Sequence, residues 1–550
     1  MQQLRLKLKL KRKYSTLFMD KQKFGHRTGS ILLLLVFAFQ FSFTAPNHIY
    51  VPANPRFLMN RERLASDKPP YSPSLDIRPI MLDTDYEGID VNIFGRTDYF
   101  YNDNVPNLEN TGELWVGKGS TFFTALHVDL SHQFFFFSIE PYYQYCENRA
   151  FVSHHVVRDH SIDNTEIVDE FNVLNDGPAR GTAPVNELRL RESQLYLHYE
   201  GWGGGISNAG MWWGPSIHNT LNMTTNTSGF PHLVLGTLQE KRYKKFGVNL
   251  RYIFAEVGRN ITKPYFTAVL GSFTYYNDPT ITIGAIRTFL SGGINDSEIS
   301  WQDAALVPFQ AFFKETLFEE SGLEDPIDVY ERDDQTASGF ISLLFPSVNL
   351  KLFLEYGWND HRWDWYDFRA HPDHSAAGII GFRKYGLFNH PELAFGFEYA
   401  DISRSPFYPH RETPDWYDKN EYYYSTNDGR RYAAHSGSDS DDMMIYLAWL
   451  SPERSLKVTF DYERHGIIYS VLLLNDTNAF HFPETKLELQ LDYRQPLGKG
   501  QLFIYYEYEY TENLGSPAQA ISPHFERPER KANVFGIGFE TALYSTPMSK

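Results

Sequence analysis

One cysteine in 550 residues leaves Cys146 nothing to pair with, so the chain holds no internal disulfide. Zinc-finger and zinc-ribbon spacings of Cys and His are absent too. No apolar run reaches the ~18 residues a spanning helix needs, which excludes a helical membrane protein. No Gly-x-Ser-x-Gly elbow occurs, which disfavours an esterase of that type. Positive charge is scarce: 51 Lys and Arg stand against 68 Asp and Glu, a net charge of −17. A chain this acidic is a poor partner for nucleic acid or anionic membrane surfaces. Aromatic residues are abundant at 16%, and hydrophobic residues reach 42%, so the chain is not a disordered one. Mean hydropathy is nevertheless −0.42. Length alone would suggest several domains of roughly 150 residues, although large barrels break that rule.

One end of the chain is strongly basic. Nine of them, from Arg5 to Arg27, face the single acid Asp20, and the short apolar run Ile31–Phe43 ends at Thr44-Ala45-Pro46. A basic stretch, a short apolar core and a small residue read as a secretory signal over residues 1–45. Its removal takes away a net +8 and leaves the mature chain near −25, since −17 − 8 = −25. An exported chain almost free of cysteine fits the bacterial envelope better than a disulfide-stapled secreted protein.

Beyond residue 87 the pattern alternates with period two. Leu456, Val458, Phe460 and Tyr462 oppose Lys457, Thr459, Asp461 and Glu463. Leu487, Leu489, Leu491 and Tyr493 oppose Lys486, Glu488, Gln490 and Asp492. The same holds for 502–510, 246–254 and 348–356. Strands of ~10 residues with one apolar and one charged face suit a membrane-spanning barrel with lipid outside and water inside. Tyr and Trp gather at strand ends, as at 142–145, 422–424 and 505–510, where interfacial girdles sit. Short connections such as 452–454 and 495–499 alternate with long polar ones at 148–186, 314–336 and 402–440. The expected fold is therefore all-β: a transmembrane antiparallel β-barrel of about 18 strands over 87–545. Residues 46–86 are proline-rich and carry one helical pattern, Phe57, Leu58, Arg61 and Leu64, so they read as a small N-terminal periplasmic helical or coil segment.

Residues 187–239 carry a resemblance. The run from Glu192 to Trp202, the glycines Gly203 to Gly205, and then Met211-Trp212-Trp213-Gly214-Pro215 resemble the signature of the Wzi-like capsule assembly family. Asn222 to Pro231 resembles that family's polar run to a proline; Ile281–Gly293 and Arg431–Ser440 resemble two more of its motifs. The resemblance implies a monomeric barrel of about eighteen strands in the bacterial outer membrane. It further implies a lectin-like role without catalysis, holding capsular or exopolysaccharide at the cell surface.

Sugar recognition needs flat aromatic faces for pyranose C–H surfaces and carboxylates for hydroxyls. Trp363, Asp364, Trp365 and Tyr366 supply both, and so do Trp416 and Tyr417 between Asp415 and Asp418; these are the candidate polysaccharide contacts. Trp212, Trp213, Gly214 and Pro215 are read as structural, a ring-packed bend. His154, His155, Arg158, Asp159 and His160 have ligand chemistry but read as a solvated loop, so no metal and no cofactor is expected. Acid pairs such as Asp461/Glu463 and Glu507/Glu509 have glycosidase chemistry, yet lumen-facing acids of a barrel show the same spacing. The expected partners are polysaccharide and outer-membrane lipid, with no nucleic acid. Two rivals stand beside this reading: a passive porin, and an envelope enzyme acting on glycan or lipid.

Overall fold

The computed structural model describes residues 48–53, 73–83, 88–106, 108–151, 183–257, 264–292, 300–309, 333–359, 369–405, 413–414, 416–417, 425–428, 430–451, 454–468, 482–513 and 529–545. Among these, eighteen antiparallel staves close into one barrel, if His232–Thr237 and Lys241–Tyr243 are counted as a single interrupted stave. In chain order they are β1 (Asp90–Asn102), β2 (Gly119–His132), β3 (Phe135–Cys146), β4 (Val185–Tyr199), β5 (Trp202–Ser207) and β6 (His232–Thr237 with Lys241–Tyr243). Next come β7 (Phe246–Glu256), β8 (Tyr265–Tyr275), β9 (Thr280–Ser291), β10 (Asp333–Phe345), β11 (Leu350–Asn359) and β12 (Ala376–Leu387). The last are β13 (His390–Asp401), β14 (Ser440–Leu450), β15 (Ser455–His465), β16 (Glu484–Leu497), β17 (Gly500–Glu512) and β18 (Glu529–Ser545). β18 pairs with β1 from Val534↔Asn102 to Ser545↔Asn92, which closes the sheet and leaves no edge.

The two faces of the wall follow from the alternation. On β15, Val458 and Phe460 point outward and are exposed, while Thr459, Asp461, Glu463 and His465 point inward and are buried. On β16, Leu489 is exposed outside while Lys486 and Glu488 are buried inside. An apolar outside needs lipid, and the barrel supplies every backbone partner within its own ladder. The tyrosine runs obey the same rule rather than forming one girdle: Tyr143 and Tyr145 face out, but Tyr142 and Tyr505 turn inward and are buried. Tyr142 stacks on Phe123 at 5.4 Å. Val348, expected in a strand, instead ends a one-turn 3-10 helix, and Asn349 takes a left-handed φ of 50° before β11 begins.

Connections differ by end. Those at 133–134, 200–201, 244–245, 388–389 and 498–499 are two residues long and share an end with Asp90 and Ser545. The long ones, including 103–118, 208–231 and 402–439, leave the opposite end. Short turns with both barrel termini mark the periplasmic side, and long loops mark the outer side.

The lumen is filled. Among the described residues four segments cross it, 73–83, 103–118 without residue 107, 208–231 and 430–439, and their side chains are largely buried. The described part of 46–86 is β and turn: His48–Val51 pairs with Ile80–Asp83, and a 3-10 turn spans Pro73–Asp76. This segment docks inside the periplasmic mouth, where Asp76 meets Lys351 and Ser342 of the wall and Arg251 donates to Pro79 O at 2.6 Å. The helical pattern at Phe57–Leu64 lies outside the described residues. The described helix Trp301–Leu306 belongs to an outer connection, N-capped by Ser300, whose hydroxyl accepts from Asp303 N at 3.2 Å.

Candidate functional site

Segment 208–231 is the centre of the plug. It has almost no secondary structure, so its backbone N–H groups need other acceptors. Inward-facing wall acids provide them. Glu398 of β13 accepts from Ile217 N at 2.5 Å, His218 N at 3.1 Å and Asn219 N at 2.7 Å. Glu192 of β4 accepts from Gly210 N at 3.2 Å and Glu355 of β11 from Leu221 N at 3.4 Å. From the neighbouring plug segment, Glu113 accepts from Gly229 N at 2.9 Å. Burial pushes the carboxyl of Glu113 up from its ordinary value, against the opposing charge of Arg191. Carboxylates that the alternation assigns only to a polar lumen thus act as anchors for an irregular loop.

The bend at Trp212-Trp213-Gly214-Pro215 lies at the bottom of this loop. Trp212 and Trp213 are completely buried and form a two-residue bridge with Arg78 and Ile77 of the N-terminal segment. The Arg78 guanidinium lies 5.1 Å from the Trp212 ring, and Trp213 packs on Phe266 of β8 at 6.2 Å. Gly214 has a φ of +145°, donates its N–H to Asp76 O at 2.8 Å, and has Glu355 and Thr220 where a Cβ would sit. Arg383 of β12 donates to Pro215 O and Ser216 O. The motif therefore joins the two plug segments that enter from opposite ends.

Of the candidate sugar contacts, Trp363, Asp364, Trp365 and Tyr366 lie outside the described residues, on the long connection between β11 and β12. Trp416 and Tyr417 are placed, and neither shows a free face: both are buried. Trp416 Nε1 and the Tyr417 hydroxyl both donate to Leu221 O, at 3.3 and 3.4 Å. The Tyr417 hydroxyl also accepts from Ala434 N at 3.2 Å, and Arg431 covers its ring at 5.1 Å. These two residues clamp plug segments together, because the polar ends of their rings are spent on backbone. The loop of His154, His155, Arg158, Asp159 and His160 lies outside the described residues.

A nest of acids and histidines joins the plug to the outer half of the wall. Glu109 of the 103–118 segment, His218 and His435 come from three plug segments; Asp442, Asp461, Glu463, Lys486 and Glu488 come from β14, β15 and β16. His435 Nε2 lies 2.8 Å from Glu109 Oε2, 3.2 Å from Asp442 Oδ2 and 3.3 Å from Glu463 Oε1. His218 Nε2 lies 3.3 Å from Asp461 Oδ2, and the two imidazole centroids are 4.3 Å apart. Burial, aided by the neighbouring His435, pushes His218 down to about 3. Burial also works against charge on His435, but Glu109 and Glu463 outweigh it and hold that imidazole well above its usual range. Spacing alone pairs Asp461 with Glu463; the convergence of Glu109, His218 and His435 on them spans more than 300 residues and leaves no local signal.

The acid pairs with glycosidase spacing are enclosed here. Glu509 is engaged by Arg530 at 3.1 Å and Thr511 at 2.9 Å, and Glu507 accepts from the Tyr505 hydroxyl. A lumen cavity beside the nest, lined by Arg96, Asp98, Arg383, Lys457, Asp492 and Tyr446, measures about 110 Å³. Ligand pockets run to roughly 300–1,000 Å³, so a polymer chain has no room in this one.

Residues 110–516 match the protein family described as "Capsule assembly protein Wzi". No curated protein matches the chain. Among solved structures the chain is similar to Wzi of Escherichia coli, described as an outer membrane protein involved in group 1 capsule assembly and a carbohydrate-binding β-barrel. The identity is 10% over 83% of this chain and 85% of that one, with a TM-score of 0.49. It is also similar to OpdQ of Pseudomonas aeruginosa, at 8% identity over 84% of this chain and all of that one, TM-score 0.36. OccAB2 of Acinetobacter baumannii gives 10% identity over 83% of this chain and 98% of that one, TM-score 0.39.

Proposed function

We propose, from the premise that this chain belongs to the Wzi capsule assembly family, that it grips capsular or exopolysaccharide at the cell surface through its outer loops and cuts no bond. The protein is an outer-membrane β-barrel of capsule assembly. The observation that carries the reading is the filled lumen. With four segments packed across it, the barrel wall serves as a mount, and the long connections at the outer end are what it presents. The acids that a glycosidase or lipase would need are committed inside to Lys486, Arg530 and plug backbone. Trp363, Asp364, Trp365 and Tyr366 supply the aromatic faces and carboxylate that a pyranose chain requires, on one of those outer connections. The barrel works as a monomer with lipid around its apolar belt.

Replacing Trp363 and Trp365 together by Ala tests this. Each stacking face lost costs about 0.5–1.5 kcal/mol, so retention of polymer on cells should fall about fivefold or more. Heat-modifiable migration of the barrel should stay unchanged. Full retention by the folded variant would sink the loop assignment. Steady single-channel current through the wild-type protein in a planar bilayer would instead favour a porin.

A further inference from the structure

We infer that the nest formed by Glu109, His218, His435 and Asp461 is a buried binding site for one divalent transition-metal cation, which pins three plug segments to the barrel wall. The inference does not depend on the sugar contacts proposed at residues 363–366, since the connection between β11 and β12 contributes no donor.

Geometry comes first. One donor atom from each of these four side chains lies within 4.8 Å of every other. The closest approaches of the two Nε2 atoms to carboxylate oxygens are 2.8 and 3.2 Å for His435 (Glu109, Asp442), and 3.3 and 3.5 Å for His218 (Asp461, Glu109). Tetrahedral zinc with bonds of about 2.0–2.1 Å requires donors about 3.3–3.4 Å apart, so small shifts would bring this set to a metal's coordination shell. Both imidazoles present the same nitrogen, Nε2, to the centre. They come from different connections, 208–231 and 402–439, so local sequence spacing does not account for the coincidence.

A second observation concerns hydrogen bonding. The His435 side chain is fully buried, and its Nε2 has three carboxylate oxygens within 3.3 Å, none of them well aligned with the ring N–H. The nitrogen therefore aims between those oxygens rather than at one of them. Glu109 Oε2 is likewise buried, with imidazole nitrogens against it, His435 at 2.8 Å and His218 at 3.5 Å, in no hydrogen bond of good alignment. Poorly aligned buried contacts of this kind are costly. A cation at their focus satisfies all of them at once.

Charge points the same way. Glu109, Asp442, Asp461, Glu463 and Glu488 gather around a single ammonium, that of Lys486, which contacts Glu109, Glu463 and Glu488. Lys486 reaches Glu109, Glu463 and Glu488, whereas Asp442 and Asp461 meet imidazoles, His435 at 3.2 Å and His218 at 3.3 Å. Buried carboxylates in that ratio either take up protons or meet further positive charge, and a metal ion at their focus supplies the charge. Two imidazole nitrogens with carboxylate oxygens suit zinc and its neighbours rather than magnesium or calcium, which take oxygen alone.

The experiment uses the full barrel, folded in detergent, stripped with a chelator, exposed to Zn²⁺ alone and passed through gel filtration before elemental analysis. About one zinc per chain should remain, and Ca²⁺ supplied instead should not be retained. His218→Asn with His435→Asn should drop retention to about a tenth or less, whereas His371→Asn with His374→Asn should keep the full equivalent. Asp461→Asn preserves shape and should weaken zinc at least about tenfold, which keeps the inference testable if the double histidine variant does not fold. Zinc should also raise the temperature at which wild-type heat-modifiable migration is lost, and should not do so for Asp461→Asn. A folded wild-type barrel that retains no zinc would overturn the inference, as would equal retention by folded variants lacking both histidines or Asp461.

Discussion

The wall and the plug of this barrel are written in different codes. In the wall, inward acids such as Glu355, Glu398 and Glu488 sit between apolar or aromatic residues of the outward parity, and the pairing partner of every residue lies in the next stave or across its closure. In the plug, segments 73–83, 103–118, 208–231 and 430–439 have little regular structure, and their partners lie far away in the chain. Asp76 meets Lys351, Arg78 meets Trp212, and Glu398 meets Ile217. The wall gains from lipid on one face; the plug has only the wall's own side chains as solvent. Its order therefore depends on point contacts, whereas the wall's depends on a repeat. Damage to the two should look different: a plug defect leaves a folded barrel with a changed interior, and a wall defect compromises insertion itself.

The largest contrast is expected at Trp213. Its ring is buried among plug and wall residues, including Phe266. Trp213→Ala leaves a cavity that costs about 3–5 kcal/mol, all of it in the join between the N-terminal segment and 208–231. The barrel should still show heat-modifiable migration, with a lowered transition temperature and intermittent current in a planar bilayer where wild type is silent. A silent variant with an unchanged transition would mean that the motif does not hold the plug. On the wall, Leu489→Lys puts an ammonium on the lipid face halfway along β16, where Leu489 is 45% exposed. That costs about 2–4 kcal/mol near the midplane. Here the expected readout is reduced folding yield into lipid vesicles, with no current from the fraction that inserts. Equal yields in vesicles and detergent would refute lipid contact at this position.

How much was legible follows the same division. The faces of 455–463, 485–493 and 246–254 were readable because a strand's period of two forces neighbours apart, and lipid selects one parity. The matched family over 110–516 was legible from residues such as Trp212-Trp213-Gly214-Pro215, a dense local motif. The duty of Trp416 and Tyr417 was not. An aromatic pair flanked by acids looks the same whether its rings face sugar or carry hydroxyl and indole donors to Leu221 O, because the acceptor is nearly 200 residues away. The acids of the lumen were legible as inward-facing, but their partners were not. Glu398 and Glu507 occupy equivalent inward positions, but only a folded plug decides which one caps a loop and which meets a tyrosine. The convergence of Glu109, His218 and His435 was illegible for that reason as well.

Glu398 offers the finest cut between the codes, because one carboxylate serves both. As an inward residue of β13 it satisfies the wall's pattern, and as an acceptor it holds three consecutive plug amides: Ile217, His218 and Asn219. Glu398→Gln keeps size and inward parity, so the wall is untouched. An amide has one acceptor oxygen and one donor group. Its oxygen can keep Ile217 and His218, but its NH₂ must then face the Asn219 N–H, donor against donor. The expected cost is about 1–3 kcal/mol, confined to the plug. Hydrogen exchange should quicken at Asn219 and its neighbours while the amides of β12–β14 keep their protection, and vesicle folding yields should match wild type. If exchange in the wall quickens equally, the plug is part of one cooperative unit with the barrel, and the division between local and distant codes ends at the level of sequence.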